Sequence, residues 1–492
     1  MMRPAADPRP TVPVMAVLFG KKADQKPQYD VAILGGGLAG MTAAYQAQKL
    51  GLKAIVLESA ERLGGNAKTG YRRVVDGRQL TFPVGASVLA VANEEQRALF
   101  KEIGINVSDP TYKIHSDIAL FDGDWVSIDP DQKGPENYKN TSWGKEFVDN
   151  VQAFITQLRT ILRPRDGKSY FPITQAPKEM LVWDKIDLKT FLDAFPEKVT
   201  KFFAANLRSD ISDDMEDISA LAGIIDQGAD QGERCLLPGG NYHVIRKMIQ
   251  AMKAKADSSV KFQTHSPIQR VEEGPNGVTV KYKDAKGKSR SLTAKHALLA
   301  IPSTRVPQVM PGLPAQTISL LSGLKRGSYA LLNIFLEEAP IQSNTYYKFP
   351  DAKWVADVVL TNAERNPDLP RGTKSPSVIT CYIPIPRSLQ NEVPSQKELV
   401  NEVIEEMSAG FPWLKEKMKG TRLTYYPEAM SAPAPGQMEA LSKFDRQVSP
   451  HVRLIHSDLS GVFAARGAID EALRGVEAVK QKLDADSRQT LA

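Results

Sequence analysis

One short unit near the start constrains this chain more than anything else in it. Tyr29-Asp-Val-Ala-Ile-Leu34 has the length and β-branched content of a buried strand. It runs straight into Gly35-Gly36-Gly37-Leu38-Ala39-Gly40, followed by a helical stretch from Met41 to Leu50 that breaks at Gly51. A second apolar run, Lys53 to Leu57, ends at Glu58. Strand, glycine turn, helix, strand and acid within about 30 residues form the dinucleotide-binding fingerprint. Gly35 permits the tight turn, Gly37 lets the backbone approach a pyrophosphate, and Gly40 lets the helix pack on the strand. The helix N-terminus at Leu38 and Ala39 then offers free N–H groups to the phosphates. Glu58 accepts from ribose hydroxyls and repels a 2′-phosphate, which favours FAD or NAD over NADP.

The rest of the composition narrows the class without naming a function. A length of 492 residues allows two to four domains. A 42% apolar and 24% charged balance is that of a globular protein. A net charge of +6 is too small for this length to argue for nucleic acid. No uninterrupted apolar stretch approaches the length of a membrane span. Two cysteines, Cys235 and Cys381, make neither a disulfide framework nor a metal site, and the six histidines show no ligand spacing. No metal is expected, and a reducing, cytoplasmic location is the plainer reading. Residues 1–28 read as a proline-broken, flexible tail without a signal-peptide pattern, a weak membrane-surface contact being the alternative.

The residues after Glu58 carry a family resemblance. Ser59-Ala-Glu-Arg62-Leu-Gly64-Gly65-Asn66 resembles the flavin-dependent amine oxidase and phytoene-desaturase superfamily, in which a basic residue and a second glycine pair follow the ribose acid. The resemblance implies flavin and phosphate contacts at Arg62, Gly64 and Gly65. Asn66 stands where many members have arginine. It continues at Gly85-Ala86-Ser87, a small-residue segment that in the family passes close to the flavin ring. A middle block, Leu237-Pro-Gly-Gly-Asn241, precedes a helical stretch from His243 to Ala256 and the segment Pro267-Ile268. By resemblance, the backbone at Ile268 meets the adenine. A closing block runs through Ser457-Asp458 into Gly467-Ala468-Ile469 and a helix ending near Leu483. Asp458 matches an acid that binds the ribityl or pyrophosphate part, and Ser457 replaces the usual glycine. The helix start would stabilise a reduced, anionic flavin.

These blocks imply an α/β fold: a discontinuous Rossmann-like FAD-binding domain at 29–95, 231–306 and 446–485, with a mixed α+β substrate domain inserted at 96–230 and 307–445. The implied cofactor is non-covalent FAD, since neither cysteine lies near the closing block. The implied activity is oxidation of an amine or amino-acid C–N bond by hydride transfer to flavin N5. The alternatives are a desaturase or double-bond isomerase acting on a polyene or lipid, and a catalytically silent flavoprotein. Two family marks are missing. Leu331 occupies the place of a lysine found in many amine oxidases, with Lys325 upstream, and Ala464, beside Phe463, occupies a common aromatic position. No catalytic residue is assigned, and oxidase against dehydrogenase and oligomeric state stay open. The partner is a small-molecule substrate. Tyr346, Tyr347, Tyr382, Tyr425 and Tyr426 are candidates for its pocket, with a plain sheet role as the alternative. Trp183, Phe191, Phe195, Phe202 and Phe203 fit core helices better than a cavity wall.

Overall fold

The computed structural model describes residues 27–491 apart from 74–78, 92, 115, 128–143, 163–171, 229–232, 256, 338–339, 342–343 and 362–376. The tail at 1–28 therefore lies almost wholly outside the described residues.

An eight-stranded sheet is built from stretches far apart in the chain. Tyr29–Leu34 sits inside it, parallel to Ala54–Leu57 on one side and to Ser289–Leu299 on the other. Val260–Gln263 continues the parallel run beyond Ala54–Leu57, and Val452–Leu454 pairs in parallel with Ser289–Leu299. An antiparallel arm, Ile268–Gly274 and Gly277–Lys283, and the short strand Gln447–Ser449, antiparallel to Val452–Leu454, complete it. Strands covered on both faces must be apolar throughout, and Val31 to Leu34 are each 0% exposed. Val31 and Ile33 meet the helices Leu38–Lys49, Tyr242–Lys253 and Ala465–Leu491, while Ala32 and Leu34 join the core on the opposite face. The fingerprint helix thus begins at Leu38 rather than Met41, and the closing helix runs on to Leu491.

A seven-stranded sheet forms the second body. Its order is Met418–Ser431, Arg326–Leu336, Ser377–Ile385, Asp357–Leu360, Thr345–Lys348, Ser116–Phe121, Asp124–Ser127. Side chains alternate between its two faces. On the outer face Ala330, Leu332, Ile334 and Cys381 pack with Trp354, Phe411 and the helix Gln396–Gly410. On the inner face Tyr329, Leu331, Val359 and Tyr382 turn toward the first body. The helices Gly144–Leu162, Glu197–Ile211 and Ala220–Gly228 pack beside that face. Here Phe191 and Phe203 stack round Phe154, with Phe195 at 4.6 Å from it, as ordinary core.

Candidate cofactor and substrate site

The glycine turn is a cradle that side chains would fill. Gly35 has φ +108°, and a Cβ there would lie 2.6 Å from the Ala300 carbonyl oxygen. At Gly40 it would lie 1.9 Å from the Gly35 carbonyl oxygen, so helix and turn touch only because both residues are bare. The second glycine pair closes on the first. Gly64 N donates to Gly36 O at 2.8 Å, and a Cβ on Gly65 would come within 2.9 Å of Gly37 Cα. No side chain caps the helix that starts at Leu38, and its first turn holds no acid. Its free N–H groups face this bare surface, the setting that suits a pyrophosphate.

Glu58 ends its strand against the turn. Its Oε2 accepts from Gly36 N at 2.7 Å, and its Oε1 accepts from Ala60 N at 2.8 Å and lies 3.2 Å from the Ser59 hydroxyl. His265 N donates to Ala60 O and Ser266 N to Glu58 O, at 2.9 and 2.7 Å. These two bonds bring the segment leading into Ile268 alongside Glu58, so the residues named for ribose and adenine are neighbours.

The other named residues lie along a continuous path. Arg62 donates to Thr69 O at 2.8 Å, and Thr69 donates to Gly239 O at 2.6 Å. Asn66 O accepts from Ala86 N at 2.8 Å, and Ala86 O accepts from Asn241 N at 3.2 Å. The Asn66 amide reaches Ala429 O at 3.0 Å, across to the seven-stranded sheet. A Cβ on Gly85 would stand 2.0 Å from Asn66 O, which explains the small residue there. Ser87 is hydrogen-bonded to the Tyr382 hydroxyl, and the Tyr426 hydroxyl donates to Val84 O at 2.6 Å. The segment 84–87 is therefore held by two tyrosines of the inner sheet face.

At the far end, Asp458 is 2% exposed and already engaged by protein groups. Arg326 and the Ser431 hydroxyl donate to Oδ1, Ser303 N donates to Oδ2 at 3.0 Å, and His456 Nδ1 lies 3.1 Å from Oδ2. Burial alone would raise its pKa, but His456 and Arg326 together hold it well below the usual carboxylate range. Ser457 is partly exposed at the same turn. Ala468 is half-buried and Ile469 fully buried in the core, so of Ile469 only the backbone can face a ligand.

The inner face supplies a second set of groups. Leu331, 3% exposed, pairs with Tyr382, and Tyr382 pairs with Asp357. Asp357 pairs in turn with Lys348, and Tyr346 with Asp117. Of the five candidate tyrosines, Tyr346, Tyr382 and Tyr426 lie on this face. Tyr347 packs on the outer face against Trp125 and Phe411, and Tyr425 is 44% exposed. Lys325 is exposed, Phe463 packs into the core and Ala464 is exposed, so none of these replaces the missing marks. Tyr329, Asp210, Asp226, Arg234 and Asp357 were not anticipated from the sequence. A charged residue opening the apolar strand Asp357-Val-Val-Leu360 was the available signal.

Two other features lie apart from this site. The carboxylates of Asp213, Asp214 and Asp217 converge within 4.8 Å, but Arg387 engages both Asp213 and Asp217. A cleft of about 270 Å³ bordered by Arg446, Arg453, Glu471 and Arg474 shares no residue with the cofactor path.

Residues 38–425 match the model of the flavin containing amine oxidoreductases. The chain belongs to this family. It is 23% identical to the oxidoreductase PigB of a Serratia strain, over 93% of this chain and 76% of PigB. It is 22% identical to flavin-containing amine oxidase A of Bos taurus, over 65% of this chain and 58% of that protein. Cyclohexylamine oxidase from Brevibacterium oxydans shares the fold at 16% identity, with a TM-score of 0.71 over 93% of this chain and 100% of that one. A putrescine oxidase structure does so at 15% identity and a TM-score of 0.69, over 92% and 98%. The family makes this chain an FAD-dependent oxidoreductase with a Rossmann-like FAD domain and a substrate domain, and the glycine cradle fits that cofactor. Its binding is non-covalent, and both cysteines are fully buried, Cys381 on the outer face and Cys235 against Val107. Among the described residues no helix is long and apolar enough to cross a membrane.

Proposed function

We propose that this chain oxidises the C–N bond of an amine in the space between Gly85–Ser87 and the inner face of the seven-stranded sheet. The observation that carries this reading is the lining of that space. Tyr382 and Tyr426 clamp the segment assigned to the flavin ring, and Asp357, paired in register with Tyr382, sets a buried carboxylate beside the apolar wall of Leu331 and Val359. A polyene would leave the Asp357 Oδ1 without a donor, whereas the N–H of an amine could supply one.

FAD, held along Gly35–Gly40, Glu58, Arg62 and Gly64–Asn66, supplies the two-electron, hydride-accepting chemistry. The protein's own contribution is placement. With FAD bound, the helix N-terminus at Leu38 would hold the pyrophosphate, Glu58 the ribose, and the backbone near Ile268 the adenine. Ser457, Asp458, Ala468 and Ile469 close the opposite end, with Asp458 fixing the turn through Arg326 and Ser303. At the substrate end, Leu331 and Val359 keep water from the reacting carbon. No acid–base dyad is required, because the amine reacts in its neutral form. We further infer that the domain limits follow the two sheets, at 29–95, 231–306 and 446–485 against 96–230 and 307–445.

The test is anaerobic mixing of the holoprotein with a panel of amines, amino acids and polyenes, following the flavin absorbance. Amines are expected to bleach it. Bleaching by polyenes alone would overturn the reading in favour of a desaturase.

A further inference from the structure

The cleft of about 270 Å³ that lies apart from the cofactor path has cationic walls. It forms where the strand Val452–Leu454, the helix Ala465–Leu491 and the turn at 442–446 meet the short helix Ile173–Gln175. Arg446, Arg453 and Arg474 converge on it, against the carboxylates of Glu471 and Asp445. Lys443, at the exposed rim, is paired with Glu439 at 2.7 Å. Glu471 is 2% exposed and is engaged by Arg474 at 2.9 Å. Asp445 is exposed and accepts from Gln447 N at 2.8 Å. Arg446 is buried and fixed by backbone, donating to the carbonyls of Leu441, Phe444 and Leu459. Arg453 is different: its Nε is buried and has no hydrogen-bond partner among the described residues. Burial lowers the pKa of both Arg446 and Arg453, and the charge of Arg474 lowers each further. A guanidinium N–H buried without an acceptor, among like charges, is costly unless something outside the chain completes it.

We propose that this cleft is an anion site, separate from the cofactor path, that binds one phosphate group, as the free ion or as a small phosphate ester. It is independent of which substrate the flavin oxidises. Even with Lys443 neutralised by Glu439, three guanidiniums face two carboxylates, so the lining stays positive. Planar guanidinium forks match the oxygens of a phosphate, which an ammonium meets only as a point charge. Arg453 brings the unused donor. Arg474, 34% exposed, is free to turn from Glu471 toward the ligand, while Arg446 stays with its carbonyls. Arg446 also ties the cleft to the turn that closes the cofactor path, because Leu459, whose carbonyl it holds, follows Asp458 directly. A bound phosphate therefore braces that turn and stabilises the folded protein by mass action.

The FAD-loaded protein is titrated, so that its own pyrophosphate cradle is already filled. Inorganic phosphate, glycerol 3-phosphate and acetate are added in turn, each against chloride at equal ionic strength, and binding is read by calorimetry. Phosphate is expected to bind saturably at one site per chain, about tenfold or more tightly than acetate, and to raise Tm. Binding of the ester as well makes a phosphate ester the occupant, whereas binding of phosphate alone assigns the site to the free ion. Arg453→Gln and Arg474→Gln should each weaken phosphate roughly tenfold with flavin retained, while Lys286→Gln, on an exposed turn elsewhere, should leave it unchanged. No saturable phosphate binding to the parent overturns the proposal. So does acetate binding as tightly as phosphate, an undiminished affinity in both arginine variants, or an equal loss in Lys286→Gln. Should the arginine variants fail to fold, labelling of the parent with phenylglyoxal, mapped by peptide mass, replaces them. Phosphate is then expected to protect Arg453 and Arg474, and labelling unaffected by phosphate overturns the site.

Discussion

Two glycines of the same turn separate cofactor binding from folding. A methyl group at Gly40 would lie 1.9 Å from the Gly35 carbonyl oxygen, so Gly40→Ala must push helix and strand apart. Overpacking of that kind costs about 1–3 kcal/mol. A methyl group at Gly37 meets only Gly65 Cα, at 3.7 Å, and Gly37 has an ordinary φ of −74°. The empty fold therefore tolerates Gly37→Ala, with a loss of about 1 kcal/mol or less for the poorer helix cap. A pyrophosphate approaching the helix end does meet the new methyl. Losing one hydrogen bond to a charged acceptor costs about 1.5–3 kcal/mol, a roughly ten- to hundredfold rise in Kd. The assay pairs thermal melts of the flavin-free proteins with titration of FAD by fluorescence quenching. Gly37→Ala should melt close to the parent and bind FAD at least tenfold more weakly, while Gly40→Ala should melt lower even without FAD. Parental FAD affinity in Gly37→Ala would refute the placement of the pyrophosphate at this turn. An equal loss of flavin-free stability in both variants would refute the steric distinction between them.

Three further outcomes follow from the buried charges. Arg326→Leu strands the Asp458 carboxylate at 2% exposure and should cost about 3–5 kcal/mol in denaturant unfolding. Adding Asp458→Asn should recover part of that loss, and a double variant no more stable than the single one would count against the pairing. Burial, only partly offset by Lys348, raises the Asp357 pKa to about 6, so its stabilising contribution is full below about pH 4 and lost as pH rises through 6. Two pH units at about 1.4 kcal/mol each make this roughly 3 kcal/mol. Asp357→Asn should flatten the fall in Tm between these pH values, and an unchanged slope would refute the raised pKa. Glu58→Ala removes the acceptor for Gly36 N and Ala60 N and should weaken FAD retention about tenfold or more. Unchanged retention on gel filtration would exclude Glu58 from the ribose site.

The two halves of the site differ in how far the sequence discloses them, and the reason is physical. The cofactor path is written in local chemistry. Gly35, Gly37, Gly40, Gly64 and Gly65 leave a bare surface within one short stretch, and Glu58 is carried to it by the next strand. The fold needs no distant information to bring them together, and the structure adds only the closing bonds, such as Ser266 to Glu58. Asp458 stands out in the sequence as an acid at a turn, but not as one already spent on Arg326 and Ser431, because those partners lie elsewhere in the chain.

The substrate side depends on register. Whether a tyrosine faces the cofactor or the outer core is set by strand pairing, and a shift of one residue reverses it. Tyr346 and Tyr347 are adjacent in sequence, yet one faces the carboxylates and the other packs on Trp125. Tyr425 and Tyr426 divide in the same way, with Tyr426 reaching Val84 and Tyr425 turned to solvent. Asp210 and Asp226 come from two helices that meet only after both have packed beside the sheet. Residue type alone therefore could not select the pocket. The same alternation gives the absent lysine its meaning. Leu331 lies on the inner face beside Tyr382, where a cation would add to Lys348 and Arg234 and oppose a positively charged substrate. With leucine there, the wall beside Tyr382 and Val359 stays apolar and adds no positive charge to that of Lys348 and Arg234.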